Sequence, residues 1–159
     1  MMRAYGLSVA PPRGWDVRIA RRAPGPHGDR SRPVLHACTR MLPEERGDYG
    51  SGAVDLLGSE DVFVSLLEFG PESVGTPLFE RQGMPNPLPM SSFSPTRLQR
   101  TLPGQSGLQI FFTDNGRAFC LYVVLGAHNQ RARLVPRAQQ LIATLGVAAE
   151  PADTAGVPR

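Results

Sequence analysis

LQIFFTDNGRAFCLYVVLG, residues 108–126, decides how this chain folds. Asn115-Gly116 separates two strand-like apolar runs, and both residues tolerate the positive φ angles of a two-residue type I′ turn. That turn fixes the register by counting: Asp114 faces Arg117, Thr113 faces Ala118, Phe112 faces Phe119, Phe111 faces Cys120 and Ile110 faces Leu121. One face collects Leu108, Ile110, Phe112, Phe119, Leu121 and Val123, and the other collects Phe111, Ala118, Cys120, Tyr122 and Val124. Both faces are largely apolar, so the second strand belongs in the middle of a sheet that is covered on two sides. The run falls short of the roughly 18 apolar residues of a membrane-spanning helix.

Working outward, residues 62–69 repeat the pattern, with Val62, Val64 and Leu66 on one face and Phe63, Leu67 and Phe69 on the other. Before them, residues 53–57 read as a strand joined by the turn Gly58-Ser59-Glu60-Asp61. Residues 34–39 are a further strand. Residues 6–9 and 15–19 form two more, connected by Ala10-Pro11-Pro12-Arg13-Gly14, with Trp15, Val17 and Ile19 inward and Asp16 and Arg18 toward water. Residues 131–145 carry Leu134, Ala138, Leu141, Ile142 and Leu145 at helical spacing. Pro136 belongs in the first turn of that helix, which sets its start near Leu134 or Val135, and Gly146 is placed to cap its end. The expected fold is a single α+β domain over residues 1–147: an antiparallel sheet of six to seven strands, joined in sequential hairpins and covered by a C-terminal helix and loops. Residues 148–159 read as a loose tail.

Two stretches lack periodicity. Residues 21–33 are a basic loop rich in Arg, Pro and Gly, and residues 71–106 hold seven prolines in 36 positions. Within the latter, Ser94-Pro95 reads as the start of a short helix over residues 94–100. A structureless stretch this long inside a compact domain is either functional or packed in a way that periodicity does not show.

Composition removes several chemistries. All seventeen basic residues are arginine. Without lysine there is no Walker A phosphate loop, no kinase-type strand lysine and no Schiff-base amine. Net charge is +3, but the charges are sorted: residues 1–40 hold eight Arg against two Asp (+6), residues 41–80 one Arg against nine acids (−8), and residues 81–137 seven Arg against one Asp (+6). Blocks of this kind pair with one another inside a fold or mark faces for a charged partner. Two cysteines, Cys38 and Cys120, are too few for a disulfide framework, leave one bridge open, and show no zinc-type spacing. No apolar leader precedes the first strand, so a cytoplasmic protein without membrane insertion, cofactor or metal is expected.

The opening Gly6-Leu7-Ser8-Val9 with Pro12-Arg13-Gly14-Trp15, the hairpin ending in Leu121-Tyr122-Val123-Val124 and the closing helix together resemble PsbP-like domains over about residues 5–147. That group includes the extrinsic photosystem II subunit, its Ran-binding relative and many bacterial proteins. The resemblance implies an α/β/α sandwich used for binding or assembly, and it brings no catalytic residues. A helix-grip fold, with a curved sheet around the C-terminal helix, is the alternative architecture.

Residues 71–106 are therefore the expected contact for a protein partner or a second subunit, through Phe79, Met84, Phe93, Arg97 and Arg100. The competing expectation is that Phe79, Phe93 and Leu98 pin the segment onto the core. A small cysteine-dependent hydrolase is the alternative activity, with His36 and Cys38 on one strand face about 7 Å apart. Weak nucleic-acid binding through Arg21, Arg22, Arg30, Arg32, Arg131, Arg133 and Arg137 is a third, although no aromatic residue lies among the first four to stack on bases.

Overall fold

The computed structural model describes residues 1–22 and 31–150. Eight strands are present among them: β1 (Met2–Ala4), β2 (Leu7–Val9), β3 (Asp16–Arg21), β4 (Pro33–Cys38), β5 (Val62–Glu68), β6 (Ser106–Asp114), β7 (Arg117–Leu125) and β8 (Gly146–Val147). One helix, α1, spans Arg131–Ile142. The fold is α+β with antiparallel sheets, and the strand count exceeds the six to seven expected because two short strands, β1 and β8, flank β2 in a separate three-stranded sheet, β1-β2-β8. The larger sheet runs β3-β4-β5-β7-β6, so β2 and β3, adjacent in sequence, lie in different sheets rather than in one hairpin.

The 108–124 hairpin has the expected register at every pair from Asp114↔Arg117 to Ile110↔Leu121. Asn115 and Gly116 both take positive φ, 53° and 77°. β7 is buried along its whole length between β5 and β6. One sheet face packs Val64, Leu66, Phe112, Phe119, Leu121 and Val123 against Leu134, Val135, Ala138, Leu141 and Ile142 of α1 and against Leu7 and Val9 of the small sheet. The opposite face carries Cys38, Phe63, Tyr122 and Val124 under Leu42, Tyr49, Ala53 and Val54.

Several boundaries differ from expectation for local reasons. Residues 53–57 form no strand: Val54–Leu56 is a 3-10 turn with bonds from Leu56 N to Ala53 O and from Leu57 N to Val54 O. β5 already has β4 and β7 as neighbours, so no free edge remains for them to join. Helix α1 starts at Arg131, directly after a 3-10 turn over His128–Gln130, which places Pro136 beyond the first turn. The missing Pro136 N–H leaves the Ala132 carbonyl without its helical donor, and both residues are exposed, so that carbonyl is open to solvent. Gly146 caps nothing: it pairs with Ser8 in β8. Residues 94–100 do not form a helix, because Gln99 N donates to the Tyr122 hydroxyl at 2.8 Å rather than back to Pro95. β1 closes on β2 through Tyr5-Gly6, both at positive φ.

The start of the expected tail is docked, with Ala148 N bonded to Gly6 O at 2.8 Å and Glu150 paired with Arg32. Residues 151–159, and residues 23–30 of the basic loop, lie outside the described residues. The charge blocks pair within the fold. Of the eight ion pairs among the described residues, six join the acidic stretch 41–80 to one of the two basic blocks: Arg22–Asp48, Arg32–Glu68, Arg40–Asp61, Arg100–Asp55, Arg117–Glu68 and Arg133–Glu60. Among the described residues no helix is long and apolar enough to cross a membrane.

Candidate functional site

Residues 71–106 are irregular but fixed, because they clasp the outer edge of β6. Phe79 is buried on the face away from α1, against the rings of Phe69 (5.3 Å) and Phe111 (5.5 Å). The chain then crosses the edge at one end of β6, with Thr113 N donating to Arg81 O at 2.7 Å and Gly83 N donating to Thr113 O at 2.8 Å. On the helix side, Leu88 and Phe93 enter the main core with Met84 half-buried beside it, and Leu88 N donates to Gln139 Oε1 of α1. The chain recrosses at the other end of β6 through reciprocal bonds between Ser94 and Gly107, and Leu98 packs under the 49–57 loop. Prolines keep most of this segment out of any ladder, yet the four crossing bonds occupy donors and acceptors that an edge strand would otherwise offer to another chain.

Of the five residues expected to meet a partner, Phe79 and Phe93 thus point inward and act as anchors. Met84 is half-buried, while Arg97 and Arg100 are exposed. Val74, Leu78 and Met90, at 37%, 59% and 41% exposure, are the large apolar side chains that the segment leaves in solvent.

His36 and Cys38 do share a face of β4, but each is committed elsewhere. Arg46 Nε donates to His36 Nδ1 at 2.9 Å, so the ring proton sits on Nε2 and is donated to the Asp48 carbonyl, also at 2.9 Å. Burial, with the Arg46 charge adding to it, holds His36 below its ordinary value. No lone pair remains to accept a thiol proton. Burial likewise raises the Cys38 thiol and pushes Cys120 up to about 12, opposed at Cys120 by the neighbouring Tyr49 hydroxyl. Both cysteines are free and buried, and no bridge joins them. A thiolate-directed reagent at pH 8 is therefore expected to label neither in native protein and both after denaturation. Fast labelling of native Cys38 would contradict this arrangement.

A cleft of about 250 Å³ lies where the clasp returns to the outer face of the sheet. Tyr49, Ser51 and Val54 come from the loop before β5, Leu98, Gln99, Arg100 and Gln105 from the clasp, and Tyr122 and Val124 from β7. Gln105 is buried, and its Nε2 donates to Val54 O at 2.8 Å, tying the two irregular walls together. Its Oε1 is buried without a partner among the described residues. Arg100 is paired to Asp55 across the same two walls. Strand parity in the sequence puts Tyr122 and Val124 on this face, but nothing in it signals that segments some fifty positions apart meet above them.

No family model matches the chain, and neither a curated protein nor a solved structure matches it.

Proposed function

We propose that the chain is a non-enzymatic binding or assembly module that meets a protein partner, or a second copy of itself, through residues 71–106 and their arginines. The observation that carries this is the clasp: its buried anchors Phe79, Leu88 and Phe93 hold the segment in one conformation, while Leu78, Met90, Arg97 and Arg100 stay outside. A surface ordered before binding avoids much of the ordering cost of association, and Met and Arg are residue types enriched in interface centres. The occupied ring nitrogens of His36 and the raised thiols of Cys38 and Cys120 weigh against the hydrolase alternative. A PsbP-like sandwich is the architecture this reading adopts, supported by the covered five-stranded antiparallel sheet, the C-terminal helix and the turn in which Trp15 N donates to Pro12 O. A cytoplasmic setting belongs to the same proposal.

The test changes only the exposed residues. A Leu78→Ser, Met90→Ser, Arg97→Ala, Arg100→Ala variant keeps every buried anchor. Sedimentation and quantitative affinity purification are expected to show a specific self-association or co-purifying protein for the wild type, reduced at least tenfold by the variant with an unchanged circular dichroism spectrum. A wild type that is strictly monomeric and recovers no protein above background, or a variant that retains its partner, would overturn the proposal.

A further inference from the structure

His36 fastens the segment 43–52 to the outer face of the sheet, and it does so through both ring nitrogens. The ring is 3% exposed on β4. Arg46 Nε donates to Nδ1, and Nε2 donates to the Asp48 carbonyl, each at 2.9 Å. Ser65 Oγ of β5 donates to the same carbonyl at 2.7 Å. Held in this way, the segment lays Tyr49 edge to face on Tyr122 and brings Gly50 so close to the Phe63 ring that an added Cβ would overlap it. Past Gly52 the chain is held separately, by Gln105 Nε2 on Val54 O and by Arg100 on Asp55. The bonds inside the segment, from Gly47 N to Ser51 O and from Gly50 N to Gly47 O, are local turn contacts that do not tie it to the sheet.

This arrangement exists only with a neutral ring. Nδ1 accepts from a guanidinium, so a proton placed there sets N–H against N–H and one cation against another. The groups around the ring do not offset that charge. From β3, Arg18 stands opposite His36 and is bound to Asp16. From β5 come Ser65, which is uncharged, and the Phe63 ring at 5.3 Å. From the segment come Arg46, the exposed Glu44, and Asp48, whose carboxylate is paired with Arg22. On β4 itself the neighbour on that face is Cys38, whose thiol burial keeps protonated. Burial holds the His36 ring below its ordinary value, opposed by the Asp48 carbonyl and reinforced by the Arg46 charge.

We propose that His36, Arg46 and Asp48 form an acid-released latch: protonation of the ring expels the Arg46 guanidinium, segment 43–52 lifts from β4 and β5, and the surface around Phe63, Tyr122 and Cys120 is uncovered. The direction follows from linkage. The closed segment keeps the ring neutral, whereas the lifted segment hydrates it and lets it titrate near the ordinary histidine value of about 6.5, so protons favour the lifted form. Closure has its full advantage above that value and loses it as pH falls below, until the closed form takes up the proton as well. The latch is independent of the partner surface, because no residue of the clasp belongs to it.

Amide hydrogen exchange of the full-length protein at pH 7.5 and 5.5, corrected for the intrinsic effect of pH on exchange, makes the test. Protection at Gly47 and Gly50 is expected to fall at least twofold on acidification, with about tenfold the ceiling for a single proton taken up near 6.5. Protection at Leu121, in the middle of β7, is expected to change less than twofold. His36→Gln keeps one acceptor and one donor but does not titrate, and its segment is expected to show no acid response. Arg46→Met serves if that variant does not fold, with weaker protection at pH 7.5 and a smaller response to acid. Protection in the wild type that stays within twofold, an equal loss in β7, or an undiminished acid response in the folded variant would each overturn the assignment.

Discussion

Replacing Arg117 with Met is expected to cost about 3–5 kcal/mol of folding stability, because it strips both side-chain hydrogen bonds from the buried Glu68 carboxylate and leaves it only the more distant Arg32, 3.8 Å away. Arg117 and Glu68 are 4% and 3% exposed, and the guanidinium donates through Nε at 3.0 Å and through Nη2 at 2.8 Å to the two carboxylate oxygens. The same side chain donates to Tyr5 O in the β1–β2 turn and to Ala148 O after β8, and it stands 5.5 Å from the Phe119 ring centroid. One residue at the start of β7 therefore fastens the three-stranded sheet to the five-stranded one. Gly6 has no Cβ to obstruct this: an added Cβ there would overlap the guanidinium. Paired replacement, Arg117→Met with Glu68→Leu, removes the stranded charge and is expected to recover more than half of the loss. Urea unfolding of the three proteins checks this, and a single-variant loss below about 1 kcal/mol would show that the pair is not buried in the way described.

Phe93→Ala is expected to cost about 3–5 kcal/mol as well, by opening a cavity in the main core. Phe93 is 3% exposed and shares the helix-side cluster with Leu88, Phe112 and Leu134. The clasp recrosses the β6 edge at the next residue, so the loss is expected to be local first: the reciprocal amides of Ser94 and Gly107 exchange faster, while those in the middle of β7 change only with global stability. Hydrogen exchange separates the two effects. A cost under 1 kcal/mol with unaltered exchange would place Phe93 at the surface, as a docking residue instead of an anchor.

The parts of this fold that the sequence makes legible are those set by local chemistry. Asn115-Gly116 dictates a turn, the turn dictates the register, and two apolar faces put β7 inside the sheet. The turn at Tyr5-Gly6 obeys the same geometry, but tyrosine seldom adopts positive φ, so β1 gives no such sign. Residues 53–57 are a short apolar run ended by a turn, as a strand would be, yet β5 has no vacant side for them. In residues 71–106 the apolar residues stand out against the prolines, and the two expectations for them divide by position: Phe79, Phe93 and Leu98 pack onto the sheet while Arg97 and Arg100 remain outside. Which way each aromatic points follows from where the chain crosses β6, a tertiary contact without a sequence period. The cleft is less legible still, since it exists only where two segments distant in sequence meet above Tyr122 and Val124.

The functional account rests on the outward side of the clasp, and a photo-crosslinking amino acid tests that side directly. Placed at Met90 or Arg97, and separately at Arg133 on the exposed side of α1, it reports which surface touches another protein in living cells. The account predicts one discrete crosslinked species, a partner or a dimer of this chain, from positions 90 and 97 and none from position 133. Crosslinks of equal yield from all three positions, or from position 133 alone, would contradict it.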